Sequence, residues 1–120
     1  LSPALLDAAC DILAAANHPL VEVLPDLLRF YFEFHQAMGE GYQAQIHDLL
    51  TCMIDLEQID FEVVETTVDV EAESPLLRGT SVADLRNHWG RAHNARLVTS
   101  ADMEAAHQEC LRGFTLLASR

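Results

Sequence analysis

Val82 to Met103, reading VADLRNHWGRAHNARLVTSADM, is the stretch around which any fold of this chain has to be arranged. Val82, Leu85, Trp89 and the Ala92-His93 pair recur at the three- and four-residue intervals that stack side chains on one face of a helix. Thr80-Ser81 supply a hydroxyl start signal, so the spacing predicts a helix that aims His93 inward near its end. The pattern breaks at Asn94-Ala95-Arg96 and Leu97-Val98 follow. Ser100, with Glu104 four residues on, then predicts the start of another helix headed by Met103.

An imidazole in that place has two readings. It can sit partly exposed against the last carbonyls of its helix, or as a satisfied core histidine. It can also face a pocket between two helices and bind a metal, since imidazole is the commonest side-chain metal ligand and a single proximal histidine often holds a haem iron. The charges around it bear on the choice. The net charge is −12, yet Arg78, Arg86, Arg91 and Arg96 fall in a stretch whose only acid is Asp84. Arginines favour the last turn of a helix for electrostatic reasons alone. Their planar donor fork also suits carboxylates, and a haem presents two propionates.

Charge and hydropathy narrow the partners. An acidic chain is repelled by nucleic acid and by anionic membrane surfaces. No apolar run approaches the roughly 18 residues needed to cross a bilayer, and no leader-like segment occurs. Cys10, Cys52 and Cys110 lie far apart with no CxxC pair, which predicts reduced thiols and a cytoplasmic protein. With half its residues apolar, a chain of 120 is expected to be one domain, 1–120, although Leu1 in place of Met also fits a segment of something longer.

In order along the chain, Ser2-Pro3 opens a helix with the stripe Leu5, Leu6, Ala9, Ile12 and Leu13, closed by Asn17-His18-Pro19. A second helix from Pro19 to Met38, kinked near Pro25, carries Phe30, Tyr31, Phe32 and Phe34, which read as core or as a flat wall for a planar ligand. Gly39 and Gly41 punctuate the chain, and Tyr42 to Leu56 is a third helix with His47 on its surface. Ile59 to Ala72 alternates and is β-branched, which favours strand, but a lone strand has no partner in a helical chain, so helix is expected there. Ala101 to Ala118 is the last helix, with His107 four residues after Met103. The fold class expected is all-α, with about five to six helices. No phosphate loop, HExxH, nucleophile elbow or catalytic carboxylate pair is present, so no enzymatic activity is expected.

These features resemble a globin of the bacterial or sensor kind. Leu1-Ser2 opens the first helix as in that family, Phe30-Tyr31 matches its Phe-Tyr pair, and His93, Val98 and Met103 match its proximal histidine with residues five and ten on. The resemblance implies a globin-like fold lacking the last helix. It implies haem as cofactor, with His93 on the iron, Trp89 and Val98 against the porphyrin, Tyr31 as distal donor and Arg86, Arg91 or Arg96 near the propionates. The function implied is binding or sensing of a diatomic gas, oxygen, with a homodimer or a fused signalling domain as partner. The alternative is a haem-free helical sensory or adaptor module that binds a partner protein or an apolar small molecule.

Overall fold

The computed structural model describes residues 1–120 and forms two compact units, one of residues 1–60 with 102–120 and one of residues 61–101. In the first unit Ser2 caps helix α1 (Pro3–Ala15), its hydroxyl accepting from the Leu5 N–H at 3.3 Å, with Pro3 inside the first turn. The helix stops where expected, at Asn17 with φ +52° and the proline two residues on. A single 3₁₀ turn (Pro19–Glu22) leads into α2 (Leu24–Ala37), so the kink expected near Pro25 is a break just before it. Leu6 of α1, Phe32 of α2 and Ala44 form a buried cluster with Leu24, Leu28 and Ile46 around it.

Helix α3 (His47–Asp55) begins five residues later than the apolar pattern suggests. The preceding segment is committed elsewhere: Gly39 and Gly41 turn the chain at φ +80° and +87°, and the Ala44 N–H donates to the Leu1 carbonyl at 2.9 Å. Helix α4 (Met103–Ala118) is capped by Asp102, whose carboxylate accepts from the Ala105 N–H at 2.9 Å, rather than by Ser100. It packs on α1, and the residues buried on the two helices are Leu6, Ala9, Leu13, Ala106 and Cys110. No helix is long and apolar enough to cross a membrane.

The second unit overturns the all-α expectation, and with it the globin-like helical domain. Strand β1 (Phe61–Thr66) pairs antiparallel with β4 (Ala95–Ala101), with a bulge at Glu62/Val63, and β2 (Val68–Val70) pairs antiparallel with β3 (Ser81–Ala83). The alternation over Ile59 to Val70 is therefore a strand signal, and the partners it lacked are the Leu97-Val98 stretch just after the expected helix break and Ser81–Ala83. Pairing through the backbone leaves no trace in the order of side chains, so a partner some thirty residues away is invisible to periodicity.

No helix forms over Val82 to His93. The Asp84 carboxylate accepts from the N–H groups of His88 at 2.9 Å and Trp89 at 2.6 Å, which folds the segment into a turn. Asn87 at φ +54° and Gly90 at φ +59° then break any helical run twice. Leu85 is 61% exposed, so its three- and four-residue spacing to Val82 and Trp89 marks no buried face. The turn is anchored by side chains acting as surrogate strands. Thr66, buried, donates its hydroxyl to the Asp84 carbonyl at 2.9 Å, and the Asn94 amide both accepts from the Val68 N–H (2.8 Å) and donates to the Val68 carbonyl (2.9 Å). The Arg91 guanidinium lies 4.6 Å over the Trp89 ring and donates to Asp69 at 2.9 Å.

Acid should open this turn in a defined direction. The Asp84 carboxyl is held below its ordinary pKa, first by the Trp89 N–H and further by those of His88 and Arg86; Asp69 is lowered by its bond to Arg91. A carboxylate depressed in the folded state stabilises it fully above its unfolded pKa, and that contribution is lost as pH falls through the depressed value. Emission from Trp89, the only tryptophan, is therefore expected to hold steady at neutral and mildly acidic pH and to change only below the ordinary carboxylate range. In Asp84→Asn the altered emission should already be present at neutral pH; an identical profile in that variant would show that the carboxylate does not hold the turn.

Candidate functional site

The first unit contains a hollow of about 270 Å³ between the segment entering α3 and the face of α4. Its floor is apolar, from Leu5 of α1, Leu50 and Met53 of α3, and Met103 and Ala106 of α4. Its polar groups stand on two sides: Gln43, Gln45 and His47 from the segment leading into α3, and His107 from α4. Two imidazoles and two amides over a greasy floor suit a small ligand with one flat face and several hydrogen-bonding edges.

Each polar group has a local reason for its place. The two positive-φ glycines bring residues 43–47 around onto the hollow. His47 is the first residue of α3, where its carbonyl accepts from the Thr51 hydroxyl at 2.9 Å, and Asp48 beside it suits the positive end of the helix. Glu40 fixes the turn: its Oε2 lies 2.6 Å from His35 Nδ1 and accepts from Gln45 Nε2 at 3.1 Å, while its carbonyl accepts from Gln43 Nε2 at 2.8 Å. On the opposite wall His107 lies one turn after Met103, so both reach the hollow from one face of α4. Cys110 also lines it, but burial pushes its thiol up, which leaves it protonated and a poor nucleophile.

The residues singled out from sequence lie elsewhere. His93 is exposed in the loop before β4 and meets Arg96, Glu65 and Asn94 around an open hollow in the second unit. Trp89 is stacked by Arg91, Val98 is 38% exposed on β4, and Arg86 is exposed in the turn after Asp84. Tyr31 belongs to the first unit, half exposed on α2 with Phe30 edge-on at 5.6 Å. An exposed imidazole rimmed by a carboxylate and an arginine is not an apolar slot for a porphyrin. No group of three or more His, Cys, Asp or Glu side chains is arranged to hold a metal ion.

The family model described as inosine-uridine preferring nucleoside hydrolase matches residues 3–108. The chain belongs to that family. The pyrimidine-specific ribonucleoside hydrolase RihA of Enterobacter sp. (strain 638) is 27% identical over 101 residues, which cover 83% of this chain and 32% of that protein. RihA of Salmonella arizonae is 30% identical over 91 residues (75% of this chain, 29% of that protein), and RihA of Shigella flexneri is 29% identical over 91 (75% and 29%). The chain thus spans about a third of the length of these curated relatives.

Membership in the nucleoside hydrolase family overturns the globin resemblance, haem as cofactor and gas sensing as function; the haem-free sensory or adaptor alternative finds no support either. The expectation of no enzymatic role is corrected too, since the family is one of hydrolases. The residues of the hollow carried faint signals. His47-Asp48 follows a double-glycine turn, and His107 is spaced four from Met103, but neither pair has a spacing that distinguishes a site from a solvated face. Haemin added to the protein is expected to give no saturable Soret band that depends on His93; a band lost in His93→Ala would contradict this placement.

Proposed function

We propose that this chain contributes a nucleoside-binding wall to a hydrolase that cleaves the bond between a nucleobase and its ribose, with the hollow beside α3 as the place where the base sits. The observation that carries the reading is the pair of imidazoles, His47 and His107, at the edge of an apolar floor in a chain of this family. That the RihA proteins it is similar to are named pyrimidine-specific ribonucleoside hydrolases supports a pyrimidine ribonucleoside as substrate. The net charge of −12 favours a single nucleoside over a polyanionic nucleic acid, and three free thiols favour a cytoplasmic setting.

The chemistry fits an imidazole. When the bond from C1′ to the base nitrogen breaks, its electron pair leaves with the base and the sugar ring becomes an oxocarbenium ion. Water adds at C1′ and gives up a proton, and the departing base takes one up. A histidine changes charge near neutral pH and can supply that proton in the transition state. His47, held on the rim at the first turn of α3, is the residue assigned this role, and the apolar floor takes the face of the base ring.

Hydrolases of this family use calcium. Calcium takes six to eight oxygen ligands, and beside His47 this chain offers the single carboxylate of Asp48, so the residues present do not compose such a site. No step is assigned through it.

The test compares leaving groups. His47→Ala in the protein that carries this chain should slow release of base from pyrimidine nucleosides by about 10²–10⁴-fold, the usual worth of a general acid. It should slow hydrolysis of p-nitrophenyl riboside far less, because nitrophenolate leaves without a proton. Equal losses on both substrates would remove His47 from the role of acid.

A further inference from the structure

Helix α3 has no cap of its own. Its N-cap position is Ile46, whose side chain offers no polar atom to the free N–H groups of the first turn. The first helical bond, from the Leu50 N–H to the Ile46 carbonyl, is long at 3.5 Å. His47 opens that turn, so the helix itself does little to fix where its imidazole stands. The approach is held from outside instead. One Glu40 carboxylate oxygen, Oε2, lies 2.6 Å from His35 Nδ1 on α2 and accepts from Gln45 Nε2 at 3.1 Å, so a single atom joins α2 to the residue two before His47. The His35 side chain is only 12% exposed, which makes it the fixed end of this link. The Glu40 backbone reinforces it, its N–H donating to the His35 carbonyl at 2.9 Å and its carbonyl accepting from Gln43 Nε2 at 2.8 Å. Glu40 does not line the hollow.

We propose that Glu40 is a positioning residue for the reaction: through Gln45 it holds the first turn of α3 so that His47 meets the departing base. The inference rests on the reading of His47 as the general acid. A proton is passed in the transition state only when donor and acceptor are within hydrogen-bond reach, so a displacement of about 1 Å at His47 costs rate and leaves substrate affinity as it was. Because one oxygen serves both His35 and Gln45, the link needs an acceptor at that place and not a charge. A glutamine at position 40 can set its Oε1 against both donors. An alanine there breaks the link but keeps the backbone of the turn, since Glu40, unlike the glycines on either side, does not have a positive φ.

The protein that carries this chain is assayed on a pyrimidine nucleoside and on p-nitrophenyl riboside. Glu40→Ala is expected to lower kcat on the nucleoside about 10- to 100-fold with KM unchanged. Hydrolysis of p-nitrophenyl riboside should stay nearly as it was, because nitrophenolate leaves without a proton. Glu40→Gln should recover most of the lost kcat. Added to His47→Ala, Glu40→Ala should cost nothing more, since the residue it positions is already gone. An unchanged kcat in Glu40→Ala, equal losses on the two substrates in that variant, no recovery in Glu40→Gln, or a full further loss in the His47→Ala background overturns the positioning role alone. If His47→Ala itself slows both substrates equally, the acid reading of His47 falls, and this assignment with it.

Discussion

The antiparallel ladder between β1 and β4 is the constraint on which the remaining structure depends. The chain leaves the first unit at Asp60 and re-enters it at Asp102, where the Asp102 N–H donates to the Asp60 carbonyl at 2.8 Å. Between those points the ladder holds the two ends of the Phe61–Ala101 excursion side by side, so loop closure has already been met when α4 begins. Helix α4 can then pack on α1, and only in that position do Met103 and His107 form the second wall of the hollow. A segment distant in sequence from His47 thus becomes part of the same site through strand pairing that neither wall contains.

Within the first unit, the hollow is built by a division of labour. Helix packing supplies the floor, with side chains that have no polar atoms to satisfy. The turn at Gly39 to Gly41 supplies the polar rim, and Glu40 accepts one hydrogen bond from each of the two glutamine amides on it. A site whose donors and acceptors are assigned before a ligand arrives loses less on binding than one that must reorganise. In the second unit the same economy of side chains is structural: Thr66, Asp84 and Asn94 complete backbone pairing that two short ladders leave unfinished.

Legibility in the sequence followed the range of the interaction. The start and end of α1, the position of α2 and most of α4 rest on caps, prolines and apolar stripes within a few residues, and all were readable. The late start of α3 was not, because the apolar face of Tyr42 to Leu56 continues through a segment that Gly39 and Gly41 divert. The strands were half readable: Phe61, Val63, Val68 and Val70 alternate, but their partners lie far along the chain. Val82, Leu85, Trp89 and His93 keep helical intervals, while Asp84, Asn87 and Gly90 between them are turn residues, and the turn won. An inward His93 and an arginine rim both require that helix, and neither exists without it. The family was legible only through comparison, since His47, His107 and the two glutamines follow no motif with fixed spacing.

The nucleoside reading places a base flat over Met53 and Met103 with its edge toward His47. A crystal structure of the protein with cytidine tests that placement most directly. The account predicts density for the base between the first turn of α3 and the face of α4, within hydrogen-bonding distance of His47. Density for the nucleoside against His93 and Arg96, with the hollow beside α3 left to solvent, would contradict it.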